Sequence, residues 1–312
     1  MNPLIITTGD PDGIGLEVTQ KALSSNVIPA SRPLIVFVSP GTKRNWSRVS
    51  ARFKKSPIVS SLSDAHDAIT LEKQKSVIIE DDRNPAFWVE EAGHYCNHVG
   101  GGIVTAPLSK TLILQSGLKD IGHTDILKRI SRTKNVYMTF LGKQARVLLG
   151  SGHIPLSEVS EYWTKHKLND SITAALELRK ALKLTKPVGV LGLNPHSGEG
   201  GLLGREEKSW MSQILKATRN VDGPLVPDSA FKPGLRDRYS VFVALYHDQG
   251  LIPFKALHGD SGVHISWGLP FVRTSVDHGT AKDIYGKNKA NPQSMKDALK
   301  WAHKLVQKGK KR

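Results

Sequence analysis

Residues 3–15 read Pro3-Leu4-Ile5-Ile6-Thr7-Thr8-Gly9-Asp10-Pro11-Asp12-Gly13-Ile14-Gly15. A short apolar run passes straight into a glycine-rich turn, and a helix-period segment follows. This predicts a strand from Pro3 to Thr8 and a strand-to-helix turn after it. Glycines in that place let backbone approach a ligand, and the helix start behind them favours an anion. The spacing is not G-x-G-x-x-G, so the dinucleotide fingerprint is missing. A plain tight turn accounts for the segment equally well.

The same alternation continues along the chain. Strands are predicted at Leu34–Val38, Ser76–Glu80, Ile103–Thr105, Asn135–Phe140, Ala145–Leu149, Pro187–Leu193, Val241–Leu245 and Val263–Ser266. Between them, Leu156–Lys165, Asp170–Leu182 and Pro292–Val306 read as helices. Strands alternating with helices predict an α/β fold, with mostly parallel sheets covered by helices. A length of 312 residues suits two lobes. The boundaries fall after the Thr105-Ala106-Pro107 strand end and around Gly259 to Gly262. They give a discontinuous outer lobe, 1–115 plus 262–312, and an inserted middle lobe, 116–261.

Composition removes several classes. Hydrophobic residues at 39% and charged residues at 23% exclude a disordered or collagen-like chain. No apolar run approaches the ~20 residues of a spanning helix, so no membrane partner is expected. Met1 to Thr8 lacks a basic n-region and reads as a strand, not a signal peptide. The single cysteine, Cys96, allows no intrachain disulfide and points to a reducing cytoplasm. It falls in a predicted helix and reads as a buried structural thiol.

The formal net charge of +16 raises the question of nucleic acid. The basic clusters are small and scattered: Lys43-Arg44, Arg52 to Lys55, and a solvated tail from Lys308 to Arg312. Aromatic residues are only 6% and are not interleaved with the cations, so base stacking has no platform. Nucleic acid is therefore not the expected partner, and an anionic small molecule suits the charge.

The chemistry-bearing residues sit at predicted strand ends, where open α/β sheets bind ligands. His153 follows Ala145–Leu149, His196 follows Pro187–Leu193, and His247 follows Val241–Leu245. A lone histidine there is usually a hydrogen-bonded surface residue. Three in equivalent places are also able to converge on one divalent cation with an open position. Asp248 and Asp228 are candidates to orient them, although Asp228 could equally cap a helix. His123-Thr124, Lys255 and Arg273 form a cationic and hydrogen-bonding group suited to phosphate or carboxylate. Asp277 to Ala281 is expected to open a helix whose short polar residues suit capping or phosphate contact.

Taken in order, these blocks resemble the 4-hydroxythreonine-4-phosphate dehydrogenases of vitamin B6 biosynthesis. The blocks are Thr8-Gly9-Asp10-Pro11 to Gly15, Val104 to Lys110, Gly122-His123-Thr124-Asp125, His153-Ile154-Pro155-Leu156 and Gly192 to Glu199. Tyr246 to Leu251, Gly268-Leu269-Pro270 and Arg273 to Ala281 complete them, and together they cover nearly the whole chain.

The resemblance implies a two-lobed subunit like isocitrate and isopropylmalate dehydrogenases, with a cleft between lobes. It implies a homodimer with a site shared across the interface, the middle lobe making the dimer contacts. The family's metal ligands fall on His153, His196 and His247, for zinc, magnesium or cobalt. Its substrate-binding residues fall on His123, Thr124, Lys255 and Arg273, with Lys255 the candidate catalytic residue. NAD or NADP is expected near Gly268, Asp277 and Thr280.

The implied reaction oxidises the C3 hydroxyl of 4-phosphohydroxy-L-threonine to a 3-oxo acid. That acid decarboxylates to 3-amino-2-oxopropyl phosphate, a precursor of pyridoxal phosphate. Three departures surround the substrate: His264 where the family commonly has Asn, Ser151-Gly152 in place of Thr-Thr, and Asp125 in place of Glu. They open a same-fold alternative acting on phosphothreonate or another diol acid, with His264 as a substrate-binding residue. The net charge leaves an alternative of another class, a non-enzymatic basic binding protein.

Overall fold

The structure is a computed structural model that describes residues 2–42, 46, 49–259 and 261–308. Lys43, Arg44 and the tail beyond residue 308 lie outside the described residues. In chain order the described strands are β1 (Leu4–Thr7), β2 (Leu34–Val38), β3 (Ile58–Val59), β4 (Ser76–Glu80), β5 (Gly102–Thr105) and β6 (Tyr137–Leu141). They continue with β7 (Arg146–Leu149), β8 (Val188–Leu191), β9 (Val221–Leu225), β10 (Val241–Ala244), β11 (Val263–Trp267) and β12 (Val272–Ser275). The chain forms two compact units, Met1–Val136 with Leu269–Arg312, and Tyr137–Gly268.

In the first unit the strand order is β3-β4-β2-β1-β5-β12 and every pairing is parallel. β1 is buried at every position between β2 and β5. Its unbroken apolar run is what a strand with both faces covered requires. The helix Pro85–Val99 lies against the sheet, burying Trp88, Val89, Ala92 and Cys96 among Ile5, Phe37 and Ile103. Its start is set by Pro85 and by Asn84, whose side-chain oxygen accepts the Ala86 N–H.

The helix His123–Ser131 joins the same core through Ile126, Leu127 and Ile130. Residues 116–136, expected in the middle lobe, therefore belong to this unit. An amphipathic helix goes where its apolar stripe is covered, and no linker composition marks the change.

In the second unit the order is β11-β6-β7-β10-β8-β9. β7, β10, β8 and β9 pair in parallel, whereas β6 runs antiparallel to both β7 and β11. The chain between β6 and β7 is a short turn closed by Gly142 N–H to Ala145 O, too short for a crossover. β11 pairs with β6, so the unit runs on through Gly268 rather than ending near residue 261. Phe140, Val147, Leu149, Leu191, Phe242 and Phe254 form its core.

Three strands lie outside the expected set. β3 has only two residues, β9 hides Gly223 and Pro224 at the sheet edge, and β12 carries the polar residues Arg273 to Ser275. The helix expected over Leu156–Lys165 breaks at Trp163, whose indole turns inward to the Leu245 carbonyl. Thr164 then caps a new helix, Lys165–Ala181, five residues before the expected Asp170 start. Asp277–Ala281 opens no α-helix. Ala281 is left-handed, a single 3₁₀ turn follows at Lys282–Ile284, and the last helix begins at Gln293.

The turn quoted at the outset is a packing device. Asp10 N–H donates to Pro107 O and Ile14 N–H to Thr280 O. A Cβ on Gly15 would stand 2.0 Å from the Thr8 carbonyl oxygen and 2.9 Å from the Ala106 Cβ. Gly15→Ala is expected to cost about 1–3 kcal/mol, the range for overpacking a filled site. The check is a lowered urea midpoint at unchanged slope.

Candidate functional site

The first unit contains a cavity of about 360 Å³ at the carboxyl ends of β5 and β12, lined in part by Thr105, His123, Arg273, Ser275, His278 and Thr280. Arg273 is 3% exposed and donates to Thr105 Oγ1 at 2.8 Å. Burial pushes its guanidinium down to about 9, so it is still a cation at neutral pH. His123 is the first residue of its helix, and burial, with help from the Arg273 charge, pushes its imidazole down to about 3. It is neutral at physiological pH.

His278 Nδ1 donates to the Gly279 carbonyl at 3.0 Å, which leaves Nε2 as the acceptor nitrogen. The Nε2 atoms of His123 and His278 are buried and have no hydrogen-bond partner among the described residues. Among the described residues no carboxylate lines the cavity. One buried cation, with no acid among the described residues of the lining, suits an anion, phosphate or carboxylate, and the acceptor Nε2 of His278 suits a hydroxyl of the same ligand.

In the second unit the three histidines leave the carboxyl ends of β7, β8 and β10. Gln249 ties two of these ends together. Its side-chain oxygen accepts the Leu245 N–H at 2.7 Å and its amide donates to Gly192 O at 2.6 Å. The Leu245 carbonyl accepts from Ser151 Oγ at 2.8 Å and Trp163 Nε1 at 2.9 Å, which joins the third. His247 is the first residue of the helix His247–His258, directly after β10.

His196 lies in the turn 195–201, where residues 196–200 all have positive φ. Each non-glycine there costs roughly 1–2 kcal/mol, so the surroundings must enforce the turn.

The histidines fit a divalent metal in two respects. The His153 and His247 ring centroids are 4.9 Å apart. Two imidazoles on one ion, at metal–nitrogen distances of about 2.0–2.1 Å and near-tetrahedral angles, place their centroids about 5 Å apart. Carboxylates back two of the rings. His247 Nδ1 meets Asp248 Oδ1 at 2.7 Å and His196 Nδ1 meets Glu199 Oε2 at 2.9 Å. That arrangement fixes the tautomer and leaves Nε2 to face a metal. Among the described residues no group of three potential ligands lies together, so the structure brings His153 to His247 and not to His196.

Of the other expected residues, Thr124 follows His123 on the same helix, and Thr280 lines the cavity. Asp277 is held by its N–H to Ser294 Oγ at 2.9 Å. Lys255 lies exposed on the helix His247–His258, and Gly268 ends the second unit with φ +110°. His264 is buried on β11 with its ring 5.0 Å from Phe140. Asp228 sits in the first turn of Pro227–Ala230, where Val226 is the capping residue. The Cys96 thiol is buried and pushed up, as a structural cysteine is.

Gln249 and His278 stood inside quoted motifs without a role, and Glu207 carried no sequence signal. A buried glutamine after a strand-end histidine is the one cue that could have pointed to the first of these.

The profile described as Pyridoxal phosphate biosynthetic protein PdxA matches residues 88–302. A 4-hydroxythreonine-4-phosphate dehydrogenase of Sulfurihydrogenibium sp. (strain YO3AOP1) is 33% identical, covering 97% of this chain and 98% of the relative. The crystal structure of the enzyme of that name from Klebsiella pneumoniae gives a TM-score of 0.80 at 27% identity, covering 98% of both chains. The one from Burkholderia phymatum gives 0.73 at 30% identity, again over 98% of both. This agreement over nearly the whole length sets aside the non-enzymatic reading that the charge suggested. The chain belongs to the PdxA family of 4-hydroxythreonine-4-phosphate dehydrogenases.

Proposed function

We propose that this chain oxidises the C3 hydroxyl of 4-phosphohydroxy-L-threonine, with NAD or NADP accepting the hydride. The 3-oxo acid formed loses CO2 to give 3-amino-2-oxopropyl phosphate for pyridoxal phosphate synthesis. The observation that carries this reading is the histidine set: His153 and His247 at ligand spacing, with carboxylates behind His196 and His247. Zinc, magnesium or cobalt bound there would polarise the hydroxyl and stabilise developing negative charge on its oxygen.

The chain's own residues bind and orient. Arg273, His123 and Thr124 hold the anionic end of the substrate, and neutral His123 does so without adding charge. Lys255 is the candidate catalytic residue, placed to orient the hydroxyl, and the acceptor of the hydroxyl proton is left open between its amine and a bound water. Asp277 and Thr280, with Gly268, are the candidate contacts of the nicotinamide cofactor, which supplies the hydride chemistry.

A homodimer completing the histidine set explains why one chain gathers only two of the three. Exposed Leu156, Leu202 and Ile252 each follow one of the histidines closely and supply apolar surface for such an interface. No helix among the described residues is long and apolar enough to cross a membrane. A single buried cysteine suits the cytoplasm. One observation favours a second substrate, phosphothreonate or another diol acid: the buried imidazole of His264 where the family commonly has Asn.

The test is reduction of NAD⁺ or NADP⁺, followed at ~340 nm, with a divalent metal and 4-phosphohydroxy-L-threonine. Metal-dependent turnover supports the reading. Turnover on phosphothreonate alone transfers it to the second substrate, and silence on both overturns it. His247→Ala is expected to lower kcat/KM by more than the about 10–100-fold that loss of a group behind a ligand costs. Arg273→Met is expected to raise the substrate KM about 10–100-fold, as loss of a hydrogen bond to a charged group does.

The cavity also sets a pH dependence. His123 ionises near 6.5 in the unfolded chain and near 3 when folded, so the unfolded chain binds more protons between those values. Its contribution to stability is complete above about pH 6.5 and is lost as pH falls toward 3. His123→Gln is expected to flatten the fall of the denaturant midpoint over that window. An identical pH profile in both proteins would sink the assignment.

A further inference from the structure

We propose that Glu207 is a positioning residue for His196, acting through the backbone turn that carries the imidazole. The proposal rests on the reading of His196 as a metal ligand. Glu207 is 3% exposed, and its carboxylate lies against Leu193, Asn194 and Gly198 at that turn. One carboxylate oxygen accepts the N–H groups of Leu193 at 2.8 Å and Asn194 at 2.7 Å. The other accepts the Asn194 side-chain amide at 2.9 Å. That oxygen also fills the space beside Gly198, where a Cβ would stand 2.8 Å from it at φ +80°.

Three N–H groups converging on one buried site call for an anion, since charge-assisted bonds hold geometry that neutral acceptors hold weakly. The imidazole itself is largely exposed and its Nδ1 meets Glu199. What it holds is the chain entering the left-handed run, three of whose five residues, His196, Ser197 and Glu199, are not glycine. Residues 207–211 themselves form a π-helical turn anchored by buried Met211, so the carboxylate is delivered from a fixed support. Insertions of this kind recur at functional sites.

The experiment is a titration of the purified full chain with Co²⁺ alone, reading the visible ligand-field absorbance, with circular dichroism on every protein. Wild type, His196→Ala, Glu207→Ala, Glu207→Gln and Gly198→Ala are compared. Glu207→Ala and Gly198→Ala, which disturb the same contact from its two sides, are expected to weaken cobalt binding about 10–100-fold with secondary structure retained. Glu207→Gln keeps one oxygen for the Leu193 and Asn194 amides and is expected to recover part of the loss.

If His196→Ala weakens cobalt binding while Glu207→Ala and Gly198→Ala bind as wild type does, the positioning role is overturned. Should Glu207→Ala fail to fold, Gly198→Ala and Glu207→Gln decide by the same criterion. If wild type binds no cobalt, or His196→Ala binds it with wild-type affinity, the ligand reading itself falls and the proposal with it.

Discussion

A parallel ladder ends all its strands at one edge, and the backbone groups beyond the last rung must find partners there. In the second unit this constraint is met around Leu245. Its N–H and C=O are taken by Gln249, Ser151 and Trp163, and Gln249 reaches on to Gly192. Satisfying buried polar groups and setting the three histidine loops are thus the same set of hydrogen bonds. Without the carboxamide of Gln249, the ends of β10 and β8 would each leave a buried group unpaired.

The first unit meets the same constraint differently. Backbone turns take over at the ends of β1 and β5, with Asp10 bonded to Pro107 and Ile14 to Thr280. Side chains are then left for a ligand. Arg273 and Ser275 stand on β12 beside β5, and His123 opens a helix anchored in the apolar core. Arg273 keeps its positive charge beside a cavity whose described lining carries no acid, an arrangement that suits an anion.

Much of the architecture was legible because buried strands leave an unambiguous trace. Runs such as Leu34–Val38 and Val241–Ala244 have apolar residues at every position, and the chain between them keeps helical period. What escaped has physical causes. β12 is polar because two of its residues, Arg273 and Ser275, line a cavity, and β9 carries turn residues at an edge where the ladder tolerates them. Trp163 ended a helix by turning toward a carbonyl far along the chain, which no local pattern records. The unit boundary fell beyond the helix His123–Ser131 because its apolar stripe matched the first core.

For the site, the sequence by itself determined the residue types, their order and their places at strand ends, and the motifs carried the family. Such information is local, since a histidine after an apolar run needs only its neighbours to be recognised. Tertiary structure decided which of those residues meet. It joined His153 to His247 and kept His196 apart, neutralised His123 by burial beside Arg273, and recruited Glu207 to hold the entrance of a turn 13 and 14 residues before it in the chain. Those outcomes depend on distances and desolvation between segments remote in the chain, and they exist only once both cores have closed.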